Sequence, residues 1–185
     1  MKLVIHMLVT LTIIGVISGG VLSGINGWAE PKIIANRIAE TERAIFVVQN
    51  KATSYKKIED VNFELYEVFD DSSNSLGYAL PFEGNGFQGK IRLIVGISKD
   101  LDKVLGLEVL EQVETPGLGT KITETPFTDQ FIKLIINSKI KSVKGVEPQN
   151  PNEVQAITGA TISSVAVVRI INEGISKLKA LEKEQ

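Results

Sequence analysis

Residues 90–113 read KIRLIVGISKDLDKVLGLEVLEQV and consist of two apolar runs separated by a polar segment. The first run covers residues 91–97 and the second covers residues 104–113, and both are rich in Val, Ile and Leu. Residues 100–103, which lie between them, carry Asp and Lys. Because β-branched runs favour strands and a short polar segment between two of them is typical of a turn, the stretch predicts a β-hairpin.

Strand and helix patterns also flank this hairpin. Apolar residues between positions 63 and 68 predict a further strand, and a helical stripe predicts a helix over residues 126–137. The polar residues 148–152, PQNPN, are typical of a loop. The strand residues are Phe63, Leu65, Tyr66 and Val68, and the helical stripe consists of Phe127, Phe131, Leu134 and Ile135.

The end of the chain has the clearest helical pattern, with its start expected between residues 161 and 164. A short strand is expected just before it, at residues 154–157. Strands followed by a helix, more strand and a closing helix predict an α+β fold, a largely antiparallel twisted sheet with helices packed on it. The stripe of the closing helix consists of Val167, Ile171, Gly174, Ile175, Leu178 and Leu181.

The beginning of the chain predicts one N-terminal transmembrane helix. Residues 3–25 contain no fully charged side chain, and a helix of that length spans about 35 Å, enough to cross a bilayer. A cleaved signal peptide is the alternative, since Lys2 precedes the run and small residues follow it. The anchor is favoured because the run exceeds a signal core and Trp28 lies where an interfacial aromatic is expected. Basic residues flank both ends, so charge leaves the orientation open.

These patterns divide the chain into three segments. Residues 1–28 are expected to form the transmembrane anchor, and residues 29–60 a juxtamembrane helix and linker. The helical spacing of Ile34, Ile38 and Ile45 predicts that helix. Residues 61–185 are left for the folded domain.

Composition limits the chemistry of the domain. The chain of 185 residues has a net charge of −2, which argues against a nucleic-acid partner because such a partner requires a basic face. It contains no cysteine, which excludes thiolate-held metals, and only one histidine, which removes almost any histidine base, so no metal site is predicted. Hydroxyl groups, carboxylates, lysines or an organic cofactor must supply any demanding chemistry.

Two glycine-containing loops are the candidates for that chemistry. Residues 114–119, ETPGLG, follow a predicted strand, and the Pro-Gly pair suits a type II turn. Residues 158–161, TGAT, precede the closing helix, where free N–H groups and the helix dipole favour a phosphate. An ordinary turn and simple helix capping are the respective alternatives. Ser163 and Ser164 offer further hydroxyl donors in the second loop.

Four segments together resemble a known family. They are residues 89–97, residues 105–110, the ETPGLG loop and residues 156–161, AITGAT. In this order, behind a membrane helix, they resemble the FMN-binding G subunit of the Rnf ion-motive electron transport complex. They are more distantly similar to the C subunit of the sodium-translocating NADH:quinone reductase.

The resemblance implies specific roles in binding FMN. It implies that a flavin transferase esterifies the hydroxyl of Thr161, which closes the TGAT motif with Thr158, Gly159 and Ala160, to the phosphate of FMN. It also implies that the ETPGLG loop lines the isoalloxazine ring. The residues of that loop are Glu114, Thr115, Gly117, Leu118 and Gly119.

Three further positions are less specific. Lys144 matches a basic residue near the flavin, and a plain surface lysine is the alternative. Phe87 is placed to stack beside the ring, and a core or rim aromatic is the alternative. The family motif usually carries Asp at the position of Gln155, so this chain lacks that negative charge.

The resemblance implies an electron-relay subunit rather than a complete enzyme. Its complex would couple ferredoxin and NAD(H) redox chemistry to Na⁺ or H⁺ movement, with the domain on the extracytoplasmic face of the cell membrane. Other subunits, the flavin transferase and the lipid bilayer are the expected partners. A membrane-anchored FMN protein outside such a complex and a non-redox scaffold subunit are the alternatives.

Overall fold

The structure, a computed structural model, describes residues 1–184 and divides the chain into two units, residues 1–40 and the residues from Thr41 onward. A single helix, α1 (Lys2–Val48), forms the first unit and provides the first residues of the second. The apolar side chains before residue 40 are exposed, and this helix is long and apolar enough to cross a membrane. The predicted anchor and juxtamembrane helix are therefore parts of one continuous helix, which contains Pro31.

The second unit is built on a five-stranded antiparallel sheet, which confirms the α+β fold. The strands lie side by side in chain order, and the predicted hairpin is present as β4 and β5. The strand expected around residues 63–68 is present as β2, whereas β1 and β3 were not predicted. The bounds are β1 (Ser54–Lys57), β2 (Tyr66–Phe69), β3 (Ser75–Asn85), β4 (Lys90–Ser98) and β5 (Val104–Gln112).

Helices cover both faces of this sheet. The long helix α3 (Thr161–Glu184) buries its apolar stripe against one face, and it begins within the predicted interval. The last turns of α1 lie on the other face, where Ile45 and Val48 pack against Val68 and Ile94. This two-sided cover explains why β4 is almost entirely buried and apolar.

The prediction of one helix over residues 126–137 is wrong. The chain instead forms the short helix α2 (Thr125–Thr128) and a 3-10 turn at Asp129–Phe131. Lys133 then has φ +66°, and its N–H donates to Val104 O (2.8 Å) while Leu134 O accepts from Val104 N (3.0 Å). The helix therefore does not continue beyond residue 131, because the backbone turns there and pairs with the start of β5.

A small parallel pair of strands joins this segment to α3. The strands are β6 (Lys141–Val143) and β7 (Glu153–Gln155), and the predicted loop at residues 148–152 lies between them. Because β7 ends six residues before α3 begins, this pair fixes the direction from which the chain enters the helix. The ends of β5, β6 and β7 all lead into the loops described below.

Candidate functional site

An open cavity of about 700 Å³ lies at the start of α3. Its size is that of a site for an organic ligand. Its wall comes from the β3–β4 turn, the loop after β5, the segment after β6 and the first turn of α3. The lining residues are Phe87, Thr115, Leu118, Gly119, Lys144, Gly145, Thr158, Gly159, Ala160, Thr161, Ile162 and Ser163.

The loop after β5 forms a tight turn, as the Pro-Gly pair predicted. The N–H of Leu118 donates to Thr115 O (3.2 Å), and Gly117 has φ +72°, a conformation that glycine adopts without strain. The hydroxyl of Thr120 accepts from the N–H of Gly117 (3.0 Å). This turn places Thr115, Leu118 and Gly119 on the cavity wall, whereas Gly117 is exposed and lies outside the lining.

At the start of α3, the hydroxyl groups divide into two sets. Ser163 donates to a carboxylate oxygen of Glu114, and Ser164 accepts a backbone N–H and donates to a backbone carbonyl. These two buried serines therefore stabilise the protein itself, which corrects their expected role as extra donors. Within residues 1–184, the hydroxyls of Thr158 and Thr161 make no hydrogen bond, and both residues line the cavity.

The first turn of α3 also offers backbone donors to the cavity. The N–H groups of the first residues of a helix have no partner within the helix, and the dipole makes this end positive. Thr161 is the first residue of α3, and Ile162 and Ser163 follow it along the same wall. Lys144 lines the cavity as well and adds a full positive charge. The start of α3 therefore has the donors and charge of an anion site.

The remaining wall is apolar. The side chains of Phe87, Leu118 and Ile162 are 61%, 46% and 59% exposed and line the cavity. Large exposed apolar side chains grouped around a cavity indicate a surface that a ligand or partner covers. The cavity thus combines an apolar wall with an anion-binding end.

Glu114 lies beneath the cavity instead of on its wall. Only 3% of it is exposed, and one carboxylate oxygen accepts the N–H groups of Phe87 (2.9 Å) and Gln88 (3.0 Å). Burial acts to raise the pKa of Glu114, but hydrogen bonds from Ser163 and the turn outweigh it and hold this pKa below its usual value. The carboxylate is therefore ionised at neutral pH.

The structure brings nine of the eleven predicted site residues to one cavity, and Glu114 and Gly117 lie just outside it. The prediction missed Gly145 and Ile162. Ile162 carried a signal, because it is a large apolar residue at the helix start that lies off the buried stripe. Gln155 lies at the end of β7, where its N–H donates to Gln130 Oε1 (2.8 Å).

Comparison with known proteins gives a consistent result. Residues 86–176 match the FMN-binding domain family, a range that contains the whole cavity lining. The chain is 38% identical over 117 residues to the G subunit of the ion-translocating oxidoreductase complex of Methanosarcina acetivorans, covering 63% of this chain and 59% of that protein. It is 36% identical over 123 residues to the G subunit of the Na(+)-translocating ferredoxin:NAD(+) oxidoreductase complex of Acetobacterium woodii, covering 65% and 58%. The chain thus spans about three fifths of the length of these curated relatives.

A solved structure supports the fold. The crystal structure of Shewanella oneidensis NqrC matches with a TM-score of 0.60 and 22% sequence identity. The match covers 75% of this chain and 74% of that one. At this identity the likeness supports the architecture alone, an antiparallel sheet with helices.

Proposed function

Because the chain belongs to the family of FMN-binding G subunits of Rnf-type ion-translocating oxidoreductase complexes, related to NqrC, we propose that it relays electrons through FMN bound in this cavity. The proposal includes a covalent phosphoester between the FMN phosphate and the hydroxyl of Thr161. The observation that carries it is the position of Thr161. It is the first residue of α3, on the cavity wall, and its hydroxyl makes no hydrogen bond to the part of the chain that the structure describes, residues 1–184.

The residues of the cavity fit the two chemically different ends of FMN. The phosphate suits the start of α3, where the first N–H groups have no partner within the helix and where Thr161 and the positive Lys144 line the same cavity. The flat ring suits the apolar wall of Phe87, Leu118 and Ile162. The small residues Gly159 and Ala160 leave room between the two ends.

The protein contributes binding and position, and FMN when bound supplies one- and two-electron redox chemistry. No side chain of the cavity has to act as a general acid or base for this role. An ester link would keep the flavin on the domain through repeated cycles. The chain is then an electron carrier within an assembly and not a complete enzyme.

We place the chain in the cell membrane as a single-pass protein, with α1 in the lipid bilayer and the domain on the extracytoplasmic side. The apolar, exposed first part of α1 supports the membrane association. Other subunits of the complex are the proposed partners in electron transfer, and a flavin transferase is the proposed partner in maturation. Within the complex, electron transfer between ferredoxin and NAD⁺ would be coupled to transport of Na⁺ or H⁺.

The covalent link is tested by denaturing gel electrophoresis of the full chain coexpressed with a flavin transferase. We expect a fluorescent band under ultraviolet light in the wild type and in Thr161→Ser, which keeps a hydroxyl. Thr161→Val removes the hydroxyl at nearly constant volume and should give a band that stains for protein but does not fluoresce. Ser176→Ala, which removes an exposed hydroxyl later in α3, is the matched control and should fluoresce.

Two outcomes would contradict the proposal. A wild-type band without fluorescence would exclude covalent attachment under these conditions. A Thr161→Val band as bright as the wild type would place the link on another residue. Peptide mapping of the fluorescent wild-type band then identifies the modified residue directly.

A further inference from the structure

The carboxylate of Glu114 joins three walls of the cavity at one buried point. Its own loop carries Thr115 and Leu118, its Oε1 accepts the N–H groups of Phe87 and Gln88, and its Oε2 accepts the hydroxyl of Ser163 in the first turn of α3. The N–H of Gly89 is a more distant third donor from the same turn, at 3.5 Å. Successive backbone N–H groups directed at one anion form a nest, here filled by a side chain of the protein.

Two glycines show how tightly this carboxylate is enclosed. A Cβ on Gly86 would overlap Glu114 Oε1, and a Cβ on Gly119 would lie 2.7 Å from Glu114 Cβ. Real Cβ atoms do not come this close to other atoms. Only glycine therefore lets the backbone at these two positions approach the side chain of Glu114 so closely. Thr115 adds a second link to the same turn, because its hydroxyl donates to Gln88 Oε1 (3.2 Å).

The part of the turn that reaches the cavity is Phe87. Its backbone N–H is held by Glu114, while its side chain is 61% exposed and lines the cavity. Because most of this side chain is exposed, its position depends on the backbone anchor. The same carboxylate holds Ser163, two residues after Thr161, and therefore relates the ring of Phe87 to the start of α3.

We propose that Glu114 is a positioning residue for the flavin. Its buried side chain fixes the distance between the β3–β4 turn and the start of α3, and so holds Phe87 where it would contact the ring of FMN. The inference rests on the proposed function for the identity of the ligand, but the anchoring of the turn is independent of it. It also explains why a charged residue is placed under an apolar wall that it does not line.

The anchoring is tested first without flavin. In the full chain, purified in detergent without coexpressed flavin transferase, amide hydrogen exchange is compared between wild type, Glu114→Ala and Glu108→Gln. Glu108 is the matched control because it is a carboxylate of β5, the strand that precedes Glu114. It accepts a hydrogen bond from Arg43 of α1, on the other face of the sheet from the cavity. We expect the amides of Phe87 and Gln88 to exchange at least about tenfold faster in Glu114→Ala only, as loss of hydrogen bonds to a charged group predicts. Equal exchange in all three proteins would overturn the proposal.

The positioning role is tested with added FMN and a double-mutant cycle. Glu114→Ala and Phe87→Ala should each raise the Kd for FMN about tenfold, and the double variant should bind no more weakly than Phe87→Ala alone. Glu114→Gln keeps an acceptor for the turn and should restore most of the affinity. If the increase in Kd in the double variant equals the product of the two single increases, Glu114 acts independently of Phe87. That result would overturn the proposal. Wild-type protein that binds no FMN would contradict the proposed function, while the exchange measurement would still decide the anchoring.

Discussion

Leu118 packs against Gly159, and this contact joins the two glycine-containing loops of the cavity. A Cβ on Gly159 would lie 3.3 Å from Leu118 Cδ2, closer than most such contacts. Gly159 also has φ +85°, which other L-residues adopt only with strain. The loop that carries Thr161 is therefore shaped both by its own backbone and by a side chain of the loop after β5.

This contact predicts the effect of Gly159→Ala. The positive φ should cost about 1–2 kcal/mol, and the approach to Leu118 should displace one of the two loops. We expect the variant to fold with lower thermal stability and to carry less covalent FMN per chain than the wild type. The ratio of flavin absorbance to protein absorbance, measured after denaturation, gives that occupancy.

A second substitution separates the backbone strain at residue 159 from its contact with Leu118. Leu118→Ala in the Gly159→Ala background removes the side chain that the new methyl group approaches. Flavin occupancy that rises in the double variant relative to Gly159→Ala would identify the contact as the cause. Occupancy at the wild-type level in Gly159→Ala itself would show that neither the positive φ nor the contact with Leu118 limits attachment.

The back of the sheet makes a separate prediction about stability. Gly96 and Gly106 lie opposite each other in β4 and β5, and Cβ atoms there would lie 2.5 Å from Val48 O and 2.8 Å from Val48 Cα. Gly96→Ala and Gly106→Ala should each lower the free energy of unfolding by about 1–3 kcal/mol, because α1 must move away from the sheet. Both substitutions displace the same residue, so the double variant should lose less than the sum of the two.

Denaturant unfolding of the full chain in detergent measures these changes. Gly89→Ala is the control, since a Cβ there meets only the side chain of Val113, which is 61% exposed and free to rotate. A control as unstable as Gly96→Ala would show that the loss does not come from contact with Val48.

Local patterns predicted those parts of the fold whose signal is contained in one segment. The hairpin of β4 and β5 and the helix α3 are of this kind, because their periodicity and turn residues lie within 25 residues of one another. The strand β3 was missed because it contains Pro81 and two glycines, which usually argue against a strand. Pro81 is tolerated because β2 pairs with β3 only at residues 75–79, so β3 has an open edge beyond them.

The wrong helix at residues 126–137 has a different cause. Its apolar residues Phe127, Phe131 and Leu134 are indeed buried, so the pattern identified core residues correctly. The backbone of residues 133–134, however, makes hydrogen bonds to Val104 at the start of β5, a residue about 30 positions earlier. A periodic pattern carries no information about such a distant partner.

The same limit applies to the site. Thr161 lies in one of the four resembling segments, whereas Lys144 and Phe87 lie outside them and were the less specific candidates. The burial of Glu114 was not predictable, since it depends on Ser163, 49 residues later, and on the turn at residues 86–89. The resemblance assigned Glu114 to the loop that lines the ring, whereas the structure places its side chain beneath the cavity.

Lys144 provides a prediction about the phosphate end of the cavity. Its side chain lines the cavity but is exposed, so its charge is partly screened by solvent. Lys144→Gln should weaken binding of FMN about fivefold, equal to about 1 kcal/mol, and leave riboflavin, which lacks the phosphate, unaffected. Titration of the full chain, produced without flavin transferase, with each flavin measures the two dissociation constants.

Lys141→Gln is the control for this measurement. Lys141 is exposed in β6, three residues earlier, and does not line the cavity. Equal weakening of FMN and riboflavin by Lys144→Gln would assign Lys144 to the ring end, and no weakening of either would leave it a surface lysine.

The lowered pKa of Glu114 predicts how stability depends on pH. Hydrogen bonds in the folded state, mainly from Ser163 and the turn, hold this pKa below the value of about 4.3 expected for an unfolded chain. The stabilisation is therefore fully present above about pH 4.3 and is lost as the pH falls through the folded pKa. Glu114→Gln should be less stable than the wild type by about 2 kcal/mol at pH 7, and this difference should shrink as the pH falls through the folded pKa.

Thermal unfolding of the flavin-free chain at a series of pH values measures that difference directly. Other carboxylates titrate in both proteins and cancel in the comparison, and Glu147→Gln, which changes an exposed carboxylate, should follow the wild-type profile. Ser163→Ala removes one of the donors that lower the pKa of Glu114, so the acid loss should begin at a higher pH. A difference between wild type and Glu114→Gln that stays constant from pH 7 to pH 3 would mean that the carboxylate contributes through its shape and not through its charge.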